Sequence, residues 1–276
     1  MQKRTLSLLF IAFFLCGCQA QTQTDKPPVP TDEPPQIEHT QELRPLVDPN
    51  VWDVTNVDIS SIDPDRKLIA FSFDDAPALN LENLLAVFTS YNEKNPDCIA
   101  SATLFCNGNR IDETFSHTLR SALALGFELG NHTFSHPDLT KLSPLELANE
   151  IDETDGILSK LDGNPRHLFR APYGKISEQV RVQVQTPILN WTIDTLDWKG
   201  RTAQEIYDSV WEQKYAGAIV LMHDGYANTV TAMKRLLPDL KEAGYQAVTI
   251  SQMSKAHDCP LRVGSVYIRA RKQKTP

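Results

Sequence analysis

From about residue 67 to residue 256, apolar residues alternate between short unbroken runs and runs spaced three and four apart, the two periods of buried strands and amphipathic helices. The run over residues 68–73 predicts a buried strand that stops at Asp74, Asp75 and Pro77. Leu81, Leu84, Leu85, Phe88 and Tyr91 then recur at helical spacing until residues 92–96 break it. A strand over 100–106, a helix over about 111–125 closed by Gly126, and a short strand over 127–131 follow. Ser143-Pro144-Leu145-Glu146 joins a capping box to proline at the first helical position, and Leu147, Ile151, Leu158 and Leu161 supply the buried stripe up to Gly163. Next come a strand at 167–169, a helix around 177–184, a strand over 188–193, a capped helix from Thr202, a buried strand over 218–222, a helix ending at Gly244, and a last strand over 247–250.

This alternation predicts an α/β fold with a parallel sheet, open or closed. The polar residues favour a barrel. Asp74, His132, Arg170, Asp194 and His223 each fall at or just past the C-terminal end of a different predicted strand, the rim where α/β barrels build sites.

The flanks read differently. Lys3 and Arg4 precede an apolar run over residues 6–15 and then Cys16-Gly17-Cys18, the layout of a secretory signal and too short for a comfortable membrane span. Leu15-Cys16-Gly17-Cys18 resembles the lipobox of bacterial lipoproteins, in which the last cysteine is acylated. The expected organisation is therefore a signal over 1–18, a proline-rich spacer over 19–50, a barrel domain over 51–256, and a basic tail over 257–276. Trp52, Val54, Val57, Ile59 and Ile62 are expected to close the bottom of the barrel. The chain carries −8; without residues 1–17 it loses Lys3 and Arg4, leaving 25 basic against 35 acidic residues, or −10. That balance argues against nucleic acid as a partner. In an oxidising compartment Cys98, Cys106 and Cys259 allow one bridge, expected between Cys98 and Cys259 with Cys106 a free buried thiol.

Each polar cluster admits a structural role when taken alone. Asp74 and Asp75 suit a turn, His132 and His136 an exposed pair, Arg170 a partner for a buried carboxylate, Trp198 the core and His223 a cap. Side chains alternate faces along a strand, so Asp74 and Asp75 reach one site only if the chain leaves the strand there. Two histidines four residues apart, with one carboxylate, give a divalent metal three ligands and leave room for water.

All five clusters, in order, resemble the motifs of the NodB-type polysaccharide deacetylases, carbohydrate esterase family 4. Ser72-Phe73-Asp74-Asp75-Ala76-Pro77 is similar to the family's first motif, with alanine where glycine is usual. His132-Thr133-Phe134-Ser135-His136 matches the second; the resemblance spans roughly residues 67–253. It implies an incomplete (β/α) barrel, which agrees with about seven predicted strands. It implies Asp74 as general base, Asp75, His132 and His136 as ligands of one divalent metal, and Arg170 as the arginine that holds the base. Tyr173 falls where a backbone N–H binds the oxyanion, Asp197 where an aspartate orients the catalytic histidine, Trp198 and Leu221 at the acetyl pocket, and His223 at the general acid. Zinc is the expected metal, with cobalt and nickel as alternatives.

The implied activity is metal-dependent hydrolysis of N-acetyl groups on a polysaccharide. A tether at an acylated Cys18 favours cell-envelope glycans, hence peptidoglycan amino sugars, ahead of chitin-like oligomers, exopolysaccharide or xylan. The expected protein is a monomer, exported and held to a membrane through Cys18. Two rivals are a sugar-binding lipoprotein on an inactive barrel, which predicts a lost ligand, acid or base, and a phosphatase, whose two-metal site needs more bridging carboxylates.

Overall fold

The computed structural model describes residues 50–270. The predicted signal with its Cys18, the spacer up to residue 49, and residues 271–276 lie outside the described residues.

The strands and helices alternate as β1 (Lys67–Ala76), α1 (Leu81–Lys94), β2 (Thr103–Cys106), α2 (Glu113–Ala124), β3 (Glu128–Asn131), α3 (Pro144–Asp162), β4 (Leu168–Phe169), α4 (Glu178–Gln183), β5 (Ile188–Leu189), β6 (Ile193–Asp194), α5 (Ala203–Gln213), β7 (Ile219–His223), α6 (Ala227–Glu242), β8 (Tyr245–Val248), α7 (Ile250–Ala256) and β9 (Val266–Tyr267). Every strand pairing is parallel, in the order β6-β7-β1-β2-β3-β4-β5-β9, with β8 also on β1. β1 lies at the centre and is buried from Leu68 to Asp74, because helices cover one face and the barrel interior the other. Phe71 and Phe73 are fully buried, each contributing roughly 2 kcal/mol of apolar transfer.

The strand expected over 188–193 is two strands. Its first half pairs with β4 and β9 and its second with β7, so one stretch of chain contributes to both sides of the sheet order. Helix α3 starts at the predicted capping box, where Ser143 accepts from Glu146 N, and ends at left-handed Gly163. Trp52 and Ile62 pack against a cluster that includes Leu68, Val248, Ile250 and Leu261, and Trp52 Nε1 donates to Ser251 Oγ at 3.1 Å.

Two expectations are corrected. Residues 257–270 are not a free tail: β9 pairs with β5, Val51 and Arg262 form an antiparallel bridge, and Leu261 and Ala270 are fully buried. The apolar residues among the basic ones carry this segment into the fold. The expected bridge does not form: Cys98 and Cys106 are free thiols, and no disulfide joins Cys98 to Cys259. The Cys98 side chain is buried, with Sγ directed at Tyr245 O at 3.9 Å. Cys106 is buried as expected.

Candidate active site

Asp74 and Asp75 reach one site through a bulge. The β1–β2 register shifts between Phe73 and Ala76, and Asp75 takes a left-handed φ of 60°. Both carboxylates then approach the same imidazole: His132 Nε2 lies 3.7 Å from Asp74 Oδ2 and 3.9 Å from Asp75 Oδ1. Left-handed residues recur along this rim at Thr133, His136, Tyr173 and Leu196. Such strained positions gather where a fold fixes side chains against local preference.

Although four residues apart, the two histidines do not share a helical turn. The segment after β3 is a non-helical bend with Thr133 at φ 71° and His136 at φ 61°. Asn131 Oδ1 accepts from Thr133 N at 2.8 Å, Thr133 Oγ1 from His136 N at 3.1 Å, and Asn107 Nδ2 donates to His132 O at 2.7 Å. Asn131 is held in turn by Asp155 on α3 at 2.9 Å. The ring of His132 is fixed by Nδ1 against Arg170 O at 2.8 Å, which leaves Nε2 for the cluster. Burial, with the neighbouring His136, pulls the His132 pKa down despite Asp74 and Asp75, so the ring is neutral and able to ligate.

Asp75, His132 and His136 each offer one ligand atom, all within 4.8 Å of one another. His136 Nε2 stands 3.4 Å from Asp75 Oδ1, a buried oxygen with no hydrogen-bond partner among the described residues. Ligands at zinc distances in a tetrahedron are about 3.3–3.5 Å apart, so the trio fits a small divalent ion. An orphaned carboxylate oxygen facing two imidazole nitrogens is otherwise costly.

Arg170, fully buried, crosses the barrel interior from the end of β4. Nη1 donates to Asp74 Oδ1 at 2.7 Å and to Ser72 Oγ at 2.9 Å, Nε to Leu189 O at 2.8 Å, and the guanidinium lies 4.0 Å from the Phe105 ring centroid. Burial raises the Asp74 pKa, but the charge and hydrogen bond of the Arg170 guanidinium, with His223 beyond, outweigh it, and the carboxyl is held below its ordinary range.

His223 pairs in register with Asp74 across β7 and β1. Its Nδ1 meets Asp197 Oδ1 at 2.8 Å, while Asp197 Oδ2 accepts from His223 N and from Thr229 Oγ1. Burial lowers the His223 pKa, but the hydrogen bond and charge of Asp197, with Asp74 and Asp75 beyond, bring it above the ordinary imidazole value. Leu221 is buried beside this pair, whereas Trp198 is about half exposed. The Tyr173 ring packs edge-on against His136 with centroids 4.7 Å apart. Asp194 stays outside the cluster and caps a turn through Leu196 N.

Several residues here were not singled out from the sequence. Arg110 Nη1 donates to Asp75 O at 2.7 Å, and buried Asp224, its carboxyl pushed up to about 7 by burial, accepts from Ala78 N at 2.8 Å. Both follow predicted strand ends, the signal that found the others. Ser72 and Thr229 carry no such mark.

Residues 61–188 match the polysaccharide deacetylase family model. The chain is 36% identical over 196 residues to the peptidoglycan-N-acetylmuramic acid deacetylase PdaC of Bacillus subtilis, covering 71% of this chain and 40% of that protein. It is 31% identical over 211 residues to a peptidoglycan-N-acetylglucosamine deacetylase of Bacillus cereus, covering 73% of this chain and 91% of that one. The solved structure of PdaC from Bacillus subtilis superposes with a TM-score of 0.65 at 35% identity, over 71% of this chain and 94% of that one. With likeness to such relatives over about seven tenths of its length, the chain belongs to the polysaccharide deacetylase family.

Proposed function

We propose that this protein hydrolyses N-acetyl groups on a cell-envelope polysaccharide, with the amino sugars of peptidoglycan as substrate. The observation that carries the reading is the pairing, on adjacent strands beside the Asp75–His132–His136 cluster, of a carboxylate clamped by a buried arginine with a histidine clamped by a buried aspartate.

An acetamide is a weak electrophile with a poor leaving group, so its hydrolysis needs an activated water, charge on the carbonyl oxygen, and a proton for nitrogen. Asp75, His132 and His136 would hold a divalent ion, which when bound would supply the positive charge that acidifies water and polarises the carbonyl. One carboxylate and two imidazoles suit zinc, and cobalt or nickel accept the same donors.

Arg170 occupies Asp74 Oδ1, which leaves Oδ2 to take a proton from the attacking water. Asp197 occupies His223 Nδ1, which leaves Nε2 to protonate the departing amine. The C–N bond breaks, and acetate and the free amino sugar leave. The backbone N–H of Tyr173 is assigned to the developing oxyanion, and Trp198 and Leu221 to the walls around the acetyl methyl.

The substrate class is supported by the peptidoglycan deacetylases among the relatives and by the sequence before the barrel. About thirty residues beyond an acylated Cys18 span at most about 100 Å, which keeps the rim near a membrane and its wall. Lipid labelling that persists in Cys18→Ala would remove that anchor. Muropeptide mass spectrometry of cells with and without the gene tests the substrate. Loss of the gene lowers the proportion of acetyl-deficient sugars; an unchanged proportion under good expression rules the wall out.

A further inference from the structure

Among the described residues, eight large apolar side chains are conspicuously exposed, and four of them, Leu79, Tyr173, Trp198 and Tyr226, stand on loops of the active-site rim. Tyr173 and Trp198 already have places in the site. Leu79, 89% exposed, and Tyr226, 40% exposed, have none.

These two share a local frame. Leu79 sits between Ala78, whose N–H donates to Asp224 at 2.8 Å, and Asn80, whose Nδ2 donates to Gly225 O at 2.8 Å. The loop after β1 is thus tied on both sides of Leu79 to the two residues that precede Tyr226. Ala78 and Gly225 are neighbours: a Cβ on Gly225 would lie in ordinary contact, 3.5 Å from that of Ala78. A leucine displayed to water from a backbone pinned at both neighbours is not a flexible loop tip. Single exposed apolar residues need no explanation, but an adjoining pair held at the mouth of a site marks a binding surface.

The ledge also has a side. Tyr226 meets the ring of His223 edge-on, at 81° with centroids 6.0 Å apart. In the mechanism above, His223 faces the nitrogen that stays bonded to C2 of the sugar, so the sugar ring and the strand linked through its glycosidic oxygens lie on this side, away from the acetyl group. Pyranose rings present apolar C–H faces that pack on aromatic and aliphatic side chains and exclude water.

We propose that Leu79 and Tyr226 form a subsite for a further sugar ring of the glycan strand, on the leaving-group side of His223. This rests on the deacetylase reading. Binding energy gathered there is available to the reaction, so longer substrates gain from the ledge and a small acetyl ester does not.

Leu79→Asn keeps the branched side-chain shape while making it polar, and Tyr226→Ala removes the ring. The measured quantity is the ratio of kcat/KM for an N-acetylglucosamine hexamer to that for 4-nitrophenyl acetate. The ratio falls about 5- to 10-fold in each variant if the ledge holds a sugar, and a ratio unchanged from wild type overturns it. Hexamer affinity by calorimetry provides a second measure that needs no turnover: Leu79→Asn weakens Kd about 5-fold, and an unchanged Kd overturns the subsite. Wild-type protein that binds the hexamer but cleaves neither substrate would overturn the deacetylase reading while the binding comparison still decides the ledge.

Discussion

Asp74 and Asp75 are chemically identical neighbours, and the bulge at this point directs one carboxylate to Arg170 and the other to the histidines. Their substitutions therefore separate. Asp74→Asn keeps the three ligands and is expected to retain metal while kcat falls on the order of 10²–10⁴-fold, the usual worth of a general base. His132→Ala is expected to lose the metal itself. Metal content measured beside rate distinguishes them, and equal metal loss in both would contradict the division of roles. The acid is tested by pH. Asp197 holds the His223 pKa above its ordinary value, so the active imidazolium survives to higher pH and activity declines as pH rises through that pKa. Asp197→Asn removes the charge, and the alkaline limb of kcat/KM should move to lower pH; an unmoved limb would exclude His223 as the acid. What the sequence showed at this scale was which residue types crowd the strand ends. It did not show Ser72 bridging Arg170 Nη1 and Val220 O, or Thr229 donating to Asp197, because a hydroxyl inside an apolar strand or a helix turn looks like any other until its partner is known.

At the scale of elements, helix α3 docks on β3 and β4 through buried polar contacts as well as apolar ones. His167, just before β4, is 2% exposed and lies between Asp155 at 2.8 Å and Asp162 at 3.2 Å, both on α3. Burial lowers its pKa, but the two carboxylates more than reverse this and raise it to about 9. The unfolded chain binds that proton with a pKa near 6.5, so the stabilisation is complete below about pH 6.5 and is lost as pH rises through 9. The shift corresponds to stability on the order of 3 kcal/mol. Denaturant melts of His167→Gln should show lower stability at pH 6 and a flatter decline toward pH 9.5; a decline as steep as wild type would contradict the pairing. Helix α3 itself was legible, since a capping box and a terminal glycine are local signals. Thr249-Ile250-Ser251-Gln252 carries the same signal and does begin α7, yet Ile250 read as the end of a strand because β8 runs into the helix with one residue between them. The division of residues 188–194 into β5 and β6 was not legible, because it depends on which neighbour each half pairs with.

For the molecule as a whole, the barrel was readable from alternation and from where the charges fall, while its lower boundary was not. Basic residues near the C-terminus suggested a solvated tail, but Leu261, Tyr267 and Ala270 belong to the cluster that holds Trp52 and Leu68. Ending the chain after Asp258 removes these contacts and bares the edge of β5. The shortened protein is expected to melt several degrees lower or to aggregate, and an unchanged melting temperature would restore the tail reading. The central claim is that this rim, with a metal bound, removes acetyl groups from wall polymer. The direct measurement is acetate release from purified peptidoglycan by the protein stripped of metal, by the same protein reloaded with zinc, and by reloaded Asp74→Asn. Release is expected from the reloaded wild-type protein and to be nearly absent from the other two. Release that survives metal removal, or none from the reloaded protein on a fully acetylated wall, would contradict it.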